Sequence, residues 1–287
     1  MPSLTTIVGV VGSVAIAGLA VTAFSNKSSP DTNTPIIATA KANVVRVTGE
    51  DFKFDAPDSL PAGLTEFRFM NKGPSIHHMA LLKLADGKTF EDFAAAMGDP
   101  NAGTPKWIKE MGGPNAPDPG KEANSTLMLE PGNYALICFV DIGGPPHFTK
   151  GMVRPLHVYA AKHDSDAKPK ADLTLTLFDY NFKESAPIKA GTRTLEVHNA
   201  GPQIHEVEMI KLAPGKTVDD FFKWFEKMEG PPPASALGGI AGLESGMTQY
   251  FTADFTPGNY VFLCFVGDEK DHKPHFAHGM VQNFTVE

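Results

Sequence analysis

With 287 residues, 42% of them hydrophobic, the chain exceeds a typical single domain and is large enough to bury two cores. A net charge of −8 without a basic cluster excludes nucleic acid as an expected partner. The 24 prolines and 27 glycines point to many short strands joined by turns rather than to a helical bundle.

Residues Ile7–Phe24 are apolar or small, and residues 25–42 turn polar with Pro30 and Pro35. Residues 1–24 read as a signal peptide, with Val21-Thr22-Ala23 as a small-residue cleavage site, or as an uncleaved N-terminal membrane anchor through residues 7–24. No Lys or Arg precedes the apolar run, a departure from the usual export signal. Both readings place the rest of the chain outside the cytoplasm. The polar linker 25–42 argues against a helix buried in the following domain.

A first domain is expected over residues 43–160. Val45 and Val47, then Phe52 and Phe54, then Thr65–Met70 mark strands by alternation. The turn Asn71-Lys72-Gly73-Pro74 leads through His77 into an apolar strand, Met79–Leu84. Thr89 starts a helix with Phe90, Phe93, Ala94 and Met97 on one face, Asp92 completing a capping box and Gly98 as the stop. A Gly/Pro-rich loop over residues 112–120 precedes strand Thr126–Leu129. The turn Pro131-Gly132, the strand ending at Cys138 and a last strand, Val153–Val158, follow.

Residues 161–171, AKHDSDAKPKA, are charged and polar and read as a linker. The order then recurs over residues 172–287. Leu173, Leu175 and Leu177 alternate; Thr194–His198, the turn Asn199-Ala200-Gly201-Pro202 and His205 follow. A helix starts at Thr217, with Asp220 three residues on and Val218, Phe221, Phe222, Phe225 and Met228 on its buried face. Gly238, Gly239 and Gly246 recur in a loop before Thr252–Phe255 and Pro257-Gly258-Asn259-Tyr260. The expected fold class is all-β: two tandem Greek-key β-sandwich domains, each with one helix in a long connection.

Two stretches carry the chemistry. PGNYALICFVDIGGPPHFTKGM places Cys138, His147 and Met152 after one strand, and PGNYVFLCFVGDEKDHKPHFAHGM does the same with Cys264, His275 and Met280. Aligning GPSIHH with GPQIHE adds His77 and His205. Each Met follows its His after four intervening residues, whereas Cys and His are separated by eight residues in the first stretch and ten in the second. Thiolate, two imidazoles and a thioether are a soft donor set suited to copper in electron transfer. Zinc fits less well, because its sites rarely use Met. The two cysteines stand at equivalent strand ends of separate domains, an awkward placement for a disulfide.

The chain resembles the cupredoxins, the blue-copper β-sandwich family, across both repeats. The features that carry the resemblance are an upstream His after an Asn-x-Gly-Pro turn, a PGxY lead-in and Cys…His-x₄-Met, in that order and twice. The first loop, Cys-x₈-His-x₄-Met, also resembles the type 1 loop of copper nitrite reductases, themselves tandem cupredoxins. The resemblance implies a type 1 copper in each domain, two per chain, held by His77, Cys138, His147 and Met152 and by His205, Cys264, His275 and Met280. Many cupredoxins follow the first His with an Asn that ties the ligand loops together; here His78 and Glu206 stand there. His78 is expected to point away from the metal, and Glu206 to be an exposed strand carboxylate. His157 and His198 are expected on strands, His163 in the linker, and His272 and His278 in solvent or beside the ligand loop.

Three functions follow for such a chain: an exported electron carrier, a copper storage or delivery protein, or a multicopper enzyme of nitrite reductase type. The carrier is preferred, with the Pro- and Phe-rich surroundings of His147 and His275 as the docking patch for a redox partner protein. In the nitrite reductases a histidine of the second, catalytic copper precedes the type 1 Cys, but here Ile137 and Leu263 stand there. The His-x-His pairs and His-Cys-His string of multicopper oxidases are absent from the sequence. No catalytic residues are therefore expected.

Overall fold

A computed structural model describes residues 42–98, 104–142, 144–162 and 168–287. The apolar stretch 7–24, nearly all of the polar linker 25–42, and His163 lie outside the described residues. Among the described residues, no helix is long and apolar enough to cross a membrane.

The alternating apolar residues form strands with one buried face. In the first repeat these are β1 (Asn43–Glu50), β2 (Lys53–Asp55), β3 (Ser59–Pro61), β4 (Gly63–Asn71), β5 (Ala80–Leu84), β6 (Ile108–Glu110), β7 (Glu122–Leu129), β8 (Gly132–Ile137) and β9 (Val153–Tyr159). In the second they are β10 (Leu173–Phe178), β11 (Asn181–Glu184), β12 (Gly191–Asn199), β13 (His205–Leu212), β14 (Ala234–Leu243), β15 (Thr248–Phe255), β16 (Gly258–Leu263) and β17 (Val281–Val286). Val45, Val47, Phe67, Phe69 and Leu127 of one sheet pack against Leu81, Leu136 and Leu156 of the facing sheet. Leu175, Leu195, Val197 and Phe251 meet Val207, Met209 and Phe262 in the same way. Cys138 with Met152, and Cys264 with Met280, belong to these two cores.

Each repeat adds a helix outside its ligand-bearing sheet. Helix α1 (Phe90–Met97) and helix α2 (Val218–Lys227) both begin with the expected capping box, Thr89 with Asp92 and Thr217 with Asp220. Phe93 packs against Ala80, Leu82 and Ile137, and Phe221 joins Ile210, Val261 and Leu263. Ala94, expected on the buried face, is exposed, because the buried stripe of this two-turn helix is only as wide as Phe93 and its flanking Phe90 and Met97.

Two features depart from a pair of independent sandwiches. The first is an eight-stranded sheet in the order β11-β10-β12-β15-β7-β4-β1-β2, which runs through both repeats. Its seam is the antiparallel contact of β15 with β7 at Tyr250 and Thr126. There the Asn124 side chain imitates a strand, donating to the Thr252 carbonyl at 2.7 Å and accepting from the Thr252 N–H at 2.8 Å. The second is β14. The glycines at 238 and 239 read as loop, yet the segment is a ten-residue strand with register shifts against β13. Gly239 explains the shift: at φ 136° a Cβ there would lie 2.1 Å from the Val207 carbonyl, so only glycine lets the backbones approach. Residues 111–117 of the first repeat run antiparallel to β14 through Met111–Leu243, Pro114–Ile240 and Pro117–Leu237.

Candidate metal centres

Each centre sits where a strand of the ligand-bearing sheet ends. Strand β8 delivers Cys138 and β16 delivers Cys264, both wholly buried and free of any disulfide. The loop after each cysteine folds back on a common backbone frame. His147 N–H donates to the Val140 carbonyl and Phe148 N–H to the Cys138 carbonyl; His275 and Phe276 make the same bonds to Val266 and Cys264, all at 2.8–2.9 Å. A short 3₁₀ turn follows and closes on Gly151 (φ 104°) or Gly279 (φ 99°), a left-handed position that suits glycine. The Met152 and Met280 amides then donate to the carbonyls of His147 and His275. The two extra residues of the second loop form a small hairpin, with Asp268 bonded to Lys273 and Gly267 bridged to Pro274, and leave this frame unchanged.

The upstream histidines are set by the Asn-x-Gly-Pro turns. Asn71 Oδ1 accepts from Gly73 N–H at 3.0 Å while its Nδ2 donates to the Ser75 carbonyl at 2.9 Å; Asn199 does the same for Gly201 and Gln203. Glycine is needed in the turn because a Cβ on Gly73 would fall 2.5 Å from His77 Nε2, and one on Gly201 2.6 Å from His205 Nε2.

The donor atoms converge. His77 Nδ1 lies 2.9 Å from His147 Nδ1, which lies 3.6 Å from Cys138 Sγ. In the second set the corresponding distances are 3.0 and 3.4 Å. In each set the two imidazoles and the thiol place one donor atom apiece within 4.8 Å of one another. A transition metal with bonds of about 2.0–2.3 Å to nitrogen and sulfur separates adjacent donors by about 2.9–3.6 Å, so both sets fit one ion.

Asp51 and Asp179 complete the arrangement. His77 Nε2 meets Asp51 Oδ1 at 2.6 Å and His205 Nε2 meets Asp179 Oδ1 at 2.7 Å. A carboxylate can only accept, so each ring carries its hydrogen on Nε2 and turns a bare Nδ1 lone pair toward its partner imidazole. Burial lowers the pKa of His77 and His205, with the aspartates pulling the other way. Burial, and then the neighbouring imidazole, lowers His147 and brings His275 to about 4. All four rings are therefore neutral donors at pH 7. Burial pushes Cys138 up to about 12 and raises Cys264 well above an ordinary thiol. Without a cation beside it, each cysteine is a thiol. A cation that made it a thiolate would displace one proton per centre.

Phe52 stands edge-on to His147 at 4.9 Å between ring centroids, and Tyr180 stands likewise to His275 at 5.2 Å. The sequence pattern marks Phe52 only as a strand residue and does not single out Asp51, Asp179 or Tyr180. The signal was present: Asp51 precedes His77 by 26 residues, as Asp179 precedes His205, with an aromatic residue next in both.

Glu206 corrects an expectation. It is buried rather than exposed, because the strand after His205 turns it into the space between the repeats. Its Oε1 accepts from Phe265 N–H at 2.8 Å, and its own N–H donates to Cys264 Sγ at 3.4 Å. Burial raises it to about 7, opposed by the Phe265 and Asn115 donors. His78 does the same work: its Nε2 accepts from Phe139 N–H at 2.8 Å. Both residues thus tie the chain just after His77 or His205 to the residue after Cys138 or Cys264.

The remaining histidines stay outside the two sets. His157 bonds Asn133 and His198 bonds Thr248. His272 is exposed. His278 pairs with Asp271, which forms a partly exposed group with Asp268 whose atoms already serve Tyr180, Gln203, Lys270 and Lys273.

No family model matches the sequence, and no curated protein matches it. Among solved structures the chain is similar to auracyanin A of Chloroflexus aurantiacus, a blue copper protein, at 21% identity over 42% of this chain and 100% of that one, TM-score 0.31. It is also similar to an auracyanin of Roseiflexus castenholzii, at 19% identity over 43% of this chain and 99% of that one, TM-score 0.27. The copper nitrite reductase of Nitrosomonas europaea matches across both repeats, at 14% identity over 86% of this chain and 93% of that one, TM-score 0.27. What decides the class is the pair of His/Cys/His sets at the ends of two sandwiches. The fold is a tandem of cupredoxin-like sandwiches. In each sandwich a buried cysteine ends a strand and a buried histidine heads the loop's 3₁₀ turn.

Proposed function

We propose that the protein is an exported electron carrier with a type 1 copper in each repeat, held by His77, Cys138, His147 and Met152 and by His205, Cys264, His275 and Met280. The observation that carries this reading is the duplicated, wholly buried convergence of two Nδ1 atoms and a thiol sulfur, with one imidazole of each pair anchored by a carboxylate. Copper would supply a reversible one-electron change that neither sulfur nor imidazole provides alone. The chain's own residues do the rest. The shared loop frame holds the donors in one geometry, Asp51 and Asp179 fix the tautomers, and the cores around Met152 and Met280 exclude water. Burial of every donor favours traffic in electrons over hand-over of the ion, which opposes a delivery role.

A carrier is favoured over a reductase or oxidase on two further grounds. Ile137 and Leu263, in the position next to the ligand cysteines, pack into the apolar clusters beneath α1 and α2. His78 has both ring nitrogens engaged, with Asn115 and with Phe139. Export rests on the apolar stretch 7–24.

The test is spectroscopic. A soluble chain beginning at Lys41, loaded with Cu(II), should show an intense thiolate-to-copper band, bleached reversibly by a reductant and restored by an oxidant. With excess copper and a reduced donor it should consume neither nitrite nor dioxygen above the free-copper background. A colourless adduct, or turnover that disappears in His78→Ala, would overturn the carrier. Mass analysis of the native protein should show a start near Phe24 or a membrane-retained full chain; a full-length cytoplasmic protein would refute export.

A further inference from the structure

The two centres are joined by one amide. Asn115 lies in the segment of the first repeat that runs beside β14 of the second. Its Oδ1 faces two donors, Ala116 N–H at 3.0 Å and His78 Nδ1 at 3.2 Å. Its Nδ2 faces acceptors of the second repeat: Glu206 Oε2 and the Val207 carbonyl, each at 3.2 Å, and the Ile240 carbonyl at 3.5 Å. These partners admit only one orientation of the amide.

The His78 ring is equally determined. Its Nε2 accepts from Phe139 N–H, so the ring hydrogen is on Nδ1 and is donated to Asn115. From His77 the connection runs along the backbone to His78, across Asn115 to Glu206, and along the backbone to His205. Only two non-covalent links interrupt it, both 3.2 Å hydrogen bonds. His78 and Glu206 are also the residues that tie each ligand strand to its cysteine loop, through Phe139 and Phe265. The arrangement is not a by-product of the twofold repeat. The residue at the corresponding point of the second repeat is Ala241, which packs with Ala80 and Ile137.

The geometry points to Asn115 as a positioning residue for both centres at once, coupling the metal site of one repeat to that of the other. The inference rests on the copper reading above. An amide is required because the bridge must offer an acceptor to the first repeat and a donor to the second. Leucine has the same size and offers neither. Partners that orient metal ligands typically change affinity by about 10- to 100-fold when removed. Such a change at both centres from one substitution in the first repeat distinguishes a bridge from a local support.

The experiment uses two single-site chains, Cys264→Ser retaining the first centre and Cys138→Ser the second, each with and without Asn115→Leu. Copper affinity and the thiolate band are recorded. Asn115→Leu should weaken copper binding about 10-fold or more in both chains and shift both bands. In the chain with both cysteines, filling one centre should alter the affinity of the other, and Asn115→Leu should abolish that coupling. Asn124→Leu is the control, because it breaks another amide bridge between the repeats without touching His78 or Glu206. It should leave both bands in place. A change at one centre only, or the same changes from Asn124→Leu, would overturn the bridge. If Asn115→Leu does not fold, Asn115→Ser serves, being too short to span both partners. Failure of the unsubstituted single-site chains to bind copper would count against the copper reading instead.

Discussion

The first and second centres share a backbone frame and differ in what surrounds it. Donor separations agree within 0.2 Å, and the Asp-to-His anchor and the glycine turn recur at matching positions. The tie residue changes from a neutral imidazole, His78, whose pKa burial lowers to about 4, to a buried carboxyl, Glu206, raised to about 7. The cover changes from Phe52, with Lys150 Nζ 4.4 Å above its ring, to Tyr180, whose hydroxyl donates to Asp268 at 2.5 Å. The contrast teaches that ligand geometry is built by the main chain, while the local charge at each centre is free to diverge.

The most drastic way to break the comparison is to remove one thiolate. Cys138→Ser should abolish the first centre's colour and keep the second's, Cys264→Ser should do the reverse, and the double variant should be colourless. A coloured double variant would show that the ligand sets are misassigned.

A subtler break removes the charge that distinguishes the second centre. A carboxyl whose folded pKa exceeds its unfolded value of 4.5 favours the folded state fully at low pH. That contribution is lost as pH rises from about 4.5 to about 7, on the order of 3 kcal/mol for a shift of this size. The buried histidines run the other way, gaining stability as pH rises toward 6.5, so the difference between variants isolates the carboxyl. Urea unfolding of the metal-free protein should therefore show Glu206→Gln gaining on the parent between pH 4.5 and 7.5. A constant gap between the two curves would refute it.

The shared frame itself is tested with Gly73→Ala and Gly201→Ala. Each new methyl meets a ligand imidazole and its aspartate. Each substitution should weaken copper binding at its own centre by roughly 10- to 100-fold, and by similar factors. Titration of the two single-site chains measures this, and strongly unequal losses would show that the frames are not equivalent. The smallest effect should come from Tyr180→Phe, which gives the second cover the first one's chemistry. Thermal unfolding should register a loss of about 0.5–1.5 kcal/mol, with the first centre's band unmoved.

Much of this was legible in the residues. The alternation of Val45 and Val47 or Leu173, Leu175 and Leu177, the capping boxes at Thr89 and Thr217, and the repeated Cys…His-x₄-Met report local periodicity and short-range chemistry. The donor sets could be read because a repeat supplies its own alignment: what recurs at matching offsets stands out from what packs. The same alignment contains Asp51 and Asp179, but a lone aspartate beside an aromatic carries no chemistry until an imidazole is known to face it. Strand β14 was hidden because Gly238 and Gly239 normally mark turns; here they permit a bulge against a neighbouring strand that sequence periodicity does not register.

Sequence alone therefore determined the alternating strands, the helix starts and the candidate donor sets, since each depends on residues close in the chain or repeated along it. Tertiary structure decided that one sheet crosses both repeats, that Glu206 is buried, and that Asn115 reaches His78 and Glu206 together. These depend on groups brought together across up to 128 residues of chain, where burial and the demand that every buried donor find an acceptor, rather than any local pattern, select the partners.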